Sequence, residues 1–364
     1  MANRFLNIFK NVDWLLLVAV FLLICFGLST LYSLTLGTEG SGFNFLQKQF
    51  LFSLLGFILL LFFVFLDYRL WRSWSGWLYI SSLLLLTLVL FFGKTIQGTT
   101  GWFRFLGFSF QPVELAKIAV VIFLAKFFSE GTYLKKEISL WLRSFLIILP
   151  ACLLVILQPD FGSMIVVFCI WLSMIWLSGA KRKYFIGLFL IILVVAIIGW
   201  QFFLQTYQKE RILTFLNPTA DVLGSGYNVQ QSIIALGSGG LTGKGLGLGT
   251  QSQLHFLPVS EADFIFAVLG EELGFIGTSL IFILYLVVFY RLFKIVQKVK
   301  DDFGAFMVLG FATLFLVQII INIGMAVGLL PVTGLPLPFV SYGGSFLVMS
   351  LIAMGIIQSV KIRS

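Results

Sequence analysis

Charge is scarce in this sequence. Asp, Glu, Lys and Arg make up only 11% of its 364 residues, against about a quarter in an ordinary soluble domain. That shortage excludes a soluble globular enzyme and a nucleic-acid-binding domain, and the abundance of apolar residues excludes a disordered chain. Histidine occurs once and cysteine three times. One histidine with no cysteine cluster beside it leaves no dedicated transition-metal cage. Cys25, Cys152 and Cys169 all lie inside apolar runs, which argues against a disulfide framework and for small buried hydrophobes. Acidic residues are fewer than basic ones, 15 against 24. In a bilayer protein the resulting charge of +9 is first a topology signal and only second an attraction to anionic headgroups.

What the sequence has is apolar length. Hydrophobic residues account for 60% of the chain, and a bilayer-spanning helix uses about 20 of them. Apolar runs fall near 12–34, 45–66, 74–92, 112–128, 143–158, 161–178, 184–204, 263–290, 303–330 and 344–360. The expected fold is therefore an all-α integral membrane protein: one polytopic domain over 1–364, a bundle of about ten transmembrane helices. The first run is too long for a signal-peptide core, and Leu34-Thr35-Leu36 is a poor cleavage site, so it reads as an uncleaved span. An even number of spans puts both termini on one side. Seventeen of the 24 Lys and Arg residues then fall on that side and seven on the other, which makes it the cytoplasm.

The longest connection, 205–260, lies between the seventh and eighth spans on the extracytoplasmic face. Nine glycines fall between Gly224 and Gly249, which predicts turns and close approaches in place of long regular elements. A phosphate loop of Walker type fails at Gly243-Lys244, because Ser238 stands where its first glycine belongs and Gly245 where Ser or Thr belongs.

Ionisable groups in or at the ends of spans are costly and mark function by default. Glu114 and Lys117 open the fourth span, Asp160 stands between the fifth and sixth, and Asp263 opens the eighth; all four map to outer helix ends. Glu114 and Lys117 are one turn apart and can pair, either as a structural bridge or as part of a site. Asp160 follows Pro159 and is placed to cap the next helix. Asp263 is placed as a helix N-cap or first-turn acid, or as a catalytic carboxylate. Glu271 and Glu272 follow at roughly 12 and 14 Å along the axis, turned by about 80° and 180°, so only Glu271 shares the half of the helix that carries Asp263. His255, just before the eighth span, is a loop residue or a supporting polar group.

The strings QPVELAK at 111–117, QPDFGS at 158–163, GYNVQQSIIALGSGGLTGKGLGLGTQSQLHFLP at 226–258, DFIFAVLGEELGFIG at 263–277 and GLLPVTGLPLPFVSYGGS at 328–345 resemble the SEDS family of bacterial shape, elongation, division and sporulation proteins. The likeness runs from the first span to the last. It is stronger to the elongation branch, RodA, with the division branch, FtsW, close behind. The resemblance implies a multi-pass bacterial inner-membrane peptidoglycan glycosyltransferase that polymerises lipid II on the extracytoplasmic face alongside a class B penicillin-binding protein. It implies that Asp263 is essential, and it puts the family's motif residues on Glu114, Lys117 and Asp160. Two departures stand out: Glu261-Ala262 precede Asp263 where the family commonly has His-Thr, and Gly101 precedes Trp102 where it commonly has Arg, with Arg104 two residues after the tryptophan.

That chemistry needs a base for the attacking sugar hydroxyl and positive charge for the departing pyrophosphate. Asp263 fits the first role, with inversion at the anomeric carbon expected from the family's chemistry. Lys117, Arg104 and Lys244 fit the second, with Glu114 holding Lys117. A divalent cation, Mg or Mn, is compatible with phosphate chemistry that uses few protein ligands. A lipid II flippase is the rival reading, since membrane-embedded charges also mark transport routes; an inactive scaffold is a third. The gathering of charges at helix ends, away from the midplane, favours chemistry.

Overall fold

The computed structural model describes the chain outside residues 1–9, 37–41, 97, 106–107, 131–136, 182, 191–196, 198–200, 202–208, 210–224, 255 and 258. Long apolar segments without water to satisfy their backbones close their hydrogen bonds internally, and the chain accordingly runs as helices. These are α1 (Trp14–Leu36), α2 (Gly42–Phe65), α3 (Leu70–Phe92), α4 (Pro112–Ser129), α5 (Glu137–Leu157), α6 (Phe161–Leu177), α7 (Ser225–Ser238), α8 (Thr250–Gln253), α9 (Ile265–Lys298), α10 (Asp302–Ala326) and α11 (Gly344–Arg363). Between α3 and α4 a small antiparallel sheet, β1 (Lys94–Ile96), β2 (Thr99–Phe105) and β3 (Phe108–Phe110), folds back on itself.

Seven helices among the described residues are long and apolar enough to cross a membrane: α1, α2, α3, α5, α9, α10 and α11. α6 is apolar but shorter, and α4 carries Glu114, Lys117 and Lys126. Of the expected seventh run, only part is described, with helix at 183–190. α11 is central, 78% of its apolar window being buried, whereas α2, α3 and α5 are peripheral at 28%. Peripheral faces present bare Trp77, Phe91 and Phe92, as a lipid-bathed surface requires.

Contacts sort the helix ends into two sets. At one end the start of α1 meets the end of α11, Asp13 N–H donating to Gln358 Oε1 at 2.9 Å, and Arg291 near the end of α9 binds Asp13. This end also holds the Arg72–Glu130 pair of α3 and α4. At the opposite end lie the sheet, the starts of α4, α6, α9 and α11, and the segment 327–343, whose Leu335, Leu337, Phe339 and Val340 are buried.

Two expectations are corrected here. Residues 225–238 form a regular helix, because the sequence there is poor in glycine and its Ala235 and Ser232 are buried; the dense glycines begin only at Gly237. The eighth run is not one continuous helix either: α9 breaks at Gly274, whose φ is +65°. The glycine-rich loop is spliced into that break. Lys244 and Gly245 N–H groups donate to the Glu271 and Glu272 carbonyls at 3.0 and 2.9 Å, while Phe275 and Ile276 N–H groups donate to Gly240 and Leu241 carbonyls at 2.9 and 3.0 Å. Backbone groups freed by the break are thereby satisfied, as membrane-embedded backbone demands. Glycine is required at Gly239, Gly243 and Gly274 because backbone lies directly on backbone at each.

Candidate active site

Asp263 is neither an N-cap nor a first-turn residue. Phe264 holds the cap position and α9 begins at Ile265, so Asp263 sits in the turn before the helix, 9% exposed. Its N–H donates to the Val259 carbonyl at 3.2 Å, and its carbonyl accepts from Asn322 Nδ2 at 3.0 Å. The carboxylate faces Gly334. A Cβ added there would lie 3.8 Å from Asp263 Oδ2.

The second group of predicted residues surrounds the start of α4. Pro112 opens the helix, a position that suits a residue with no N–H. One turn on, Lys117 Nζ lies 2.8 Å from Glu114 Oε1, with both side chains shielded from solvent. Asp160 caps α6 as expected, its Oδ1 accepting the Ser163 N–H at 2.9 Å, and Gln111 Nε2 approaches Oδ2 at 3.5 Å. Ser345, in the first turn of α11, accepts the Gln111 N–H at 3.4 Å. Gly101 lies against the side-chain amides of Gln158 and Gln111, so the position where the family commonly has Arg adjoins this cluster.

One loop connects the two groups. Asn322 Nδ2 donates to the Leu335 carbonyl at 2.8 Å as well as to Asp263, and the Leu335 side chain fills the notch left by Gly162, two residues after Asp160. The acid before α9 and the Glu114–Lys117–Asp160 cluster thus share the segment 327–343 as their common wall.

The remaining predicted residues are placed differently. Lys244 Nζ binds Glu271 Oε1 at 2.8 Å and Thr250 Oγ1 at 2.9 Å, with its side chain 27% exposed. Glu271 also accepts from the Gln251 and Ser252 N–H groups, so it anchors the glycine-rich loop and the start of α8. Its neighbour Glu272, also buried, accepts from the Ser33 hydroxyl and the Gly247 N–H. Both acids therefore serve the break in α9. Arg104 is exposed on β2, opposite Ser109. His255 lies outside the described residues.

Sequence reading missed the amides and hydroxyls that frame Asp263: Gln49, Asn322 and Ser341. Asn322 carried a signal, a polar side chain inside an apolar run, which in a membrane is retained for a partner. Tyr342 belongs to the same frame. Burial, and secondly the charge of Glu261, pushes its phenol above the ordinary value.

These features define a polytopic helical membrane protein in which most of the buried acids, Glu114, Asp160, Asp263, Glu271 and Glu272, lie towards one end of the bundle. The chain belongs to the family of FtsW, RodA and SpoVE, whose model, described as cell cycle protein, matches residues 13–364. It is 39% identical to stage V sporulation protein E of Bacillus subtilis (strain 168), over 96% of each chain. It is 41% identical to peptidoglycan glycosyltransferase MrdB of Escherichia coli (strain K12), over 80% of this chain and 79% of that one. It is also similar to a chain in a solved peptidoglycan synthase complex described as coordinating polymerization and crosslinking, with a TM-score of 0.82 and 32% identity over 96% of this chain and 97% of that one.

Proposed function

We propose that this peptidoglycan glycosyltransferase joins lipid II units into glycan strands during cell elongation, using Asp263 as general base. The observation that carries the reading is the common wall: Asn322 ties Asp263 to Leu335, and Leu335 covers Gly162 beside Asp160. The C4 hydroxyl of one sugar attacks the anomeric carbon of the next unit while Asp263 accepts its proton. The lipid pyrophosphate departs with inversion in a single displacement. Arg104, exposed on β2, and Lys244, half-buried and paired with Glu271, meet the pyrophosphate charge. Lys117 is fully shielded and already held by Glu114, so its contact with a phosphate requires exchange of that partner.

Among the described residues no group of three or more His, Cys, Asp or Glu side chains is placed to hold a metal ion. A divalent cation, Mg or Mn, would come with the substrate's pyrophosphate.

The end holding the start of α1 and the end of α11 is the cytoplasmic one. Arg72, Lys294, Lys298 and Lys361 lie at that end of their helices, in line with the distribution of basic residues that orients multi-span proteins. The site then faces outward, within reach of a class B penicillin-binding protein. A broken helix is also a transporter feature, but here the break in α9 is filled by the chain's own loop.

Purified protein given lipid II, with and without a cognate penicillin-binding protein, tests the reading. Polymer is expected, and Asp263→Ala abolishes it; polymer from the variant removes the base assignment. Passage of labelled lipid II across liposomes without polymer would instead establish transport.

A further inference from the structure

We propose that Asn322 and Ser341 are positioning residues for Asp263, an inference that rests on the base role given to that carboxylate. Three successive carbonyls lead into α9, those of Glu261, Ala262 and Asp263. They precede the cap residue Phe264 and so have no share in the helix's own hydrogen bonds. Each is taken by a different donor. Tyr342 N–H donates to the Glu261 carbonyl at 2.9 Å, the Ser341 hydroxyl to the Ala262 carbonyl at 2.6 Å, and Asn322 Nδ2 to the Asp263 carbonyl at 3.0 Å.

The donors are themselves fixed. Ser341 Oγ accepts the Leu337 N–H at 2.8 Å, which sets the direction of its own hydrogen. Asn322 uses its other amide hydrogen on the Leu335 carbonyl. The Gln49 side chain of α2 brackets the far side of the segment, donating to the Ser341 carbonyl at 3.1 Å and accepting from the Gly343 N–H at 3.2 Å. Asn322, Ser341 and Gln49 are all nearly or fully buried, so water does not compete for these bonds. Behind the three carbonyls, Val259 holds φ at +52°, a strained value for a β-branched residue, and its carbonyl accepts from Ala262 and Asp263 N–H groups.

This turn has no helix of its own, yet its backbone is held on both sides of the residue that carries the carboxylate. Such restraint is what a base needs, because a displacement of roughly 1 Å can cost about 10²-fold in rate. Asn322 and Ser341 hold the carbonyls of Asp263 and Ala262 and act through the backbone that carries the carboxylate.

The test is steady-state polymerisation of lipid II by purified full-length variants, with thermal unfolding measured on each. Asn322→Ala and Ser341→Ala are expected to lower kcat by about tenfold or more with KM within about twofold. Ser341→Thr keeps the hydroxyl and recovers most of the rate. In an Asp263→Glu background, where the carboxylate is already displaced, Asn322→Ala costs much less than in the native chain. Gln318→Leu, one turn away on α10, leaves kcat unchanged and controls for a general effect on that helix. Native kcat in both alanine variants overturns the proposal, as does a loss confined to KM or a Ser341→Thr variant no better than Ser341→Ala. If Asn322→Ala does not fold, the Ser341 pair decides. Asp263→Asn is assayed alongside: polymer from it defeats the base reading itself, whereas its inactivity together with a fully active Asn322→Ala defeats only the positioning role.

Discussion

Lys117 and Glu114 meet at 2.8 Å, one turn apart at the start of α4, with the lysine side chain wholly shielded from solvent. A charge pair at such depth adds little stability by itself, but removing one partner strands the other and costs about 3–5 kcal/mol. Glu114→Gln and Lys117→Met are therefore each expected to lower the unfolding temperature strongly. Combining them restores most of the loss, since no isolated charge remains. The double variant separates scaffold from chemistry: it is expected to be folded and unable to polymerise lipid II. Native activity in the folded double variant would reduce the pair to a structural bridge.

The splice between the glycine-rich loop and α9 makes a graded prediction at two glycines of the same loop. Gly240 and Gly243 both have positive φ, +56° and +80°. Around Gly240 a Cβ meets nothing within 4 Å, whereas at Gly243 it meets the backbone of Glu272 and Leu273. Gly240→Ala carries only the conformational penalty, about 1–2 kcal/mol. Gly243→Ala adds a clash that neither backbone can relieve without parting the Lys244–Glu271 and Gly245–Glu272 hydrogen bonds. Thermal unfolding in detergent should rank Gly243→Ala well below Gly240→Ala; equal values would show that the loop yields easily.

The helices were legible because apolar length is a local property: nine of the ten expected runs fall on described helices, seven of which are long and apolar enough to cross a membrane. The Asp160 cap was legible for the same reason, since a cap needs only three residues. The break in α9 was not, because Gly274 looks like any glycine in an apolar run until a loop some thirty residues earlier in the chain lies against it. Helical rotation separated Glu271 from Glu272, but the structure buries both on the glycine-rich loop, since that loop folds around the broken helix instead of along one face. The frame of Asp263 joins Gln49, Asn322 and Ser341 from distant parts of the chain, and no spacing rule links them.

At the opposite end of the bundle, Arg291 holds Asp13 through Nε to both carboxylate oxygens at 2.9 Å and through Nη2 to one at 2.7 Å. Gln358 pairs with the Asp13 backbone as donor and acceptor at once. The start of α1 is thus tied to α9 and α11. Lysine lacks the planar fork that this geometry uses, so Arg291→Lys should not restore what Arg291→Ala loses. The arginine side chain is a quarter exposed, and water offsets part of the loss, leaving about 1–3 kcal/mol. Unfolding temperatures check this, and a lysine variant as stable as the native chain would show that charge alone suffices.

Gly334 supplies the most local test of how Asp263 is approached. The carboxylate faces this glycine, and a methyl group there would stand 3.8 Å from Oδ2, ordinary contact distance. Steric repulsion against Asp263 is therefore small. What the methyl group takes away is the space beside the carboxylate through which a sugar hydroxyl must come within about 3 Å of the oxygen. The φ of +75° adds a backbone penalty of about 1–2 kcal/mol, which thermal unfolding reports separately. Gly334→Ala is expected to lower kcat/KM for lipid II at least about tenfold, the equivalent of about 1.4 kcal/mol in the barrier, while a matched alanine at the exposed Gly240 loses no activity. If Gly334→Ala polymerises at the native rate, the hydroxyl reaches Asp263 from another side, and the segment 327–343 supports the acid without lining its approach.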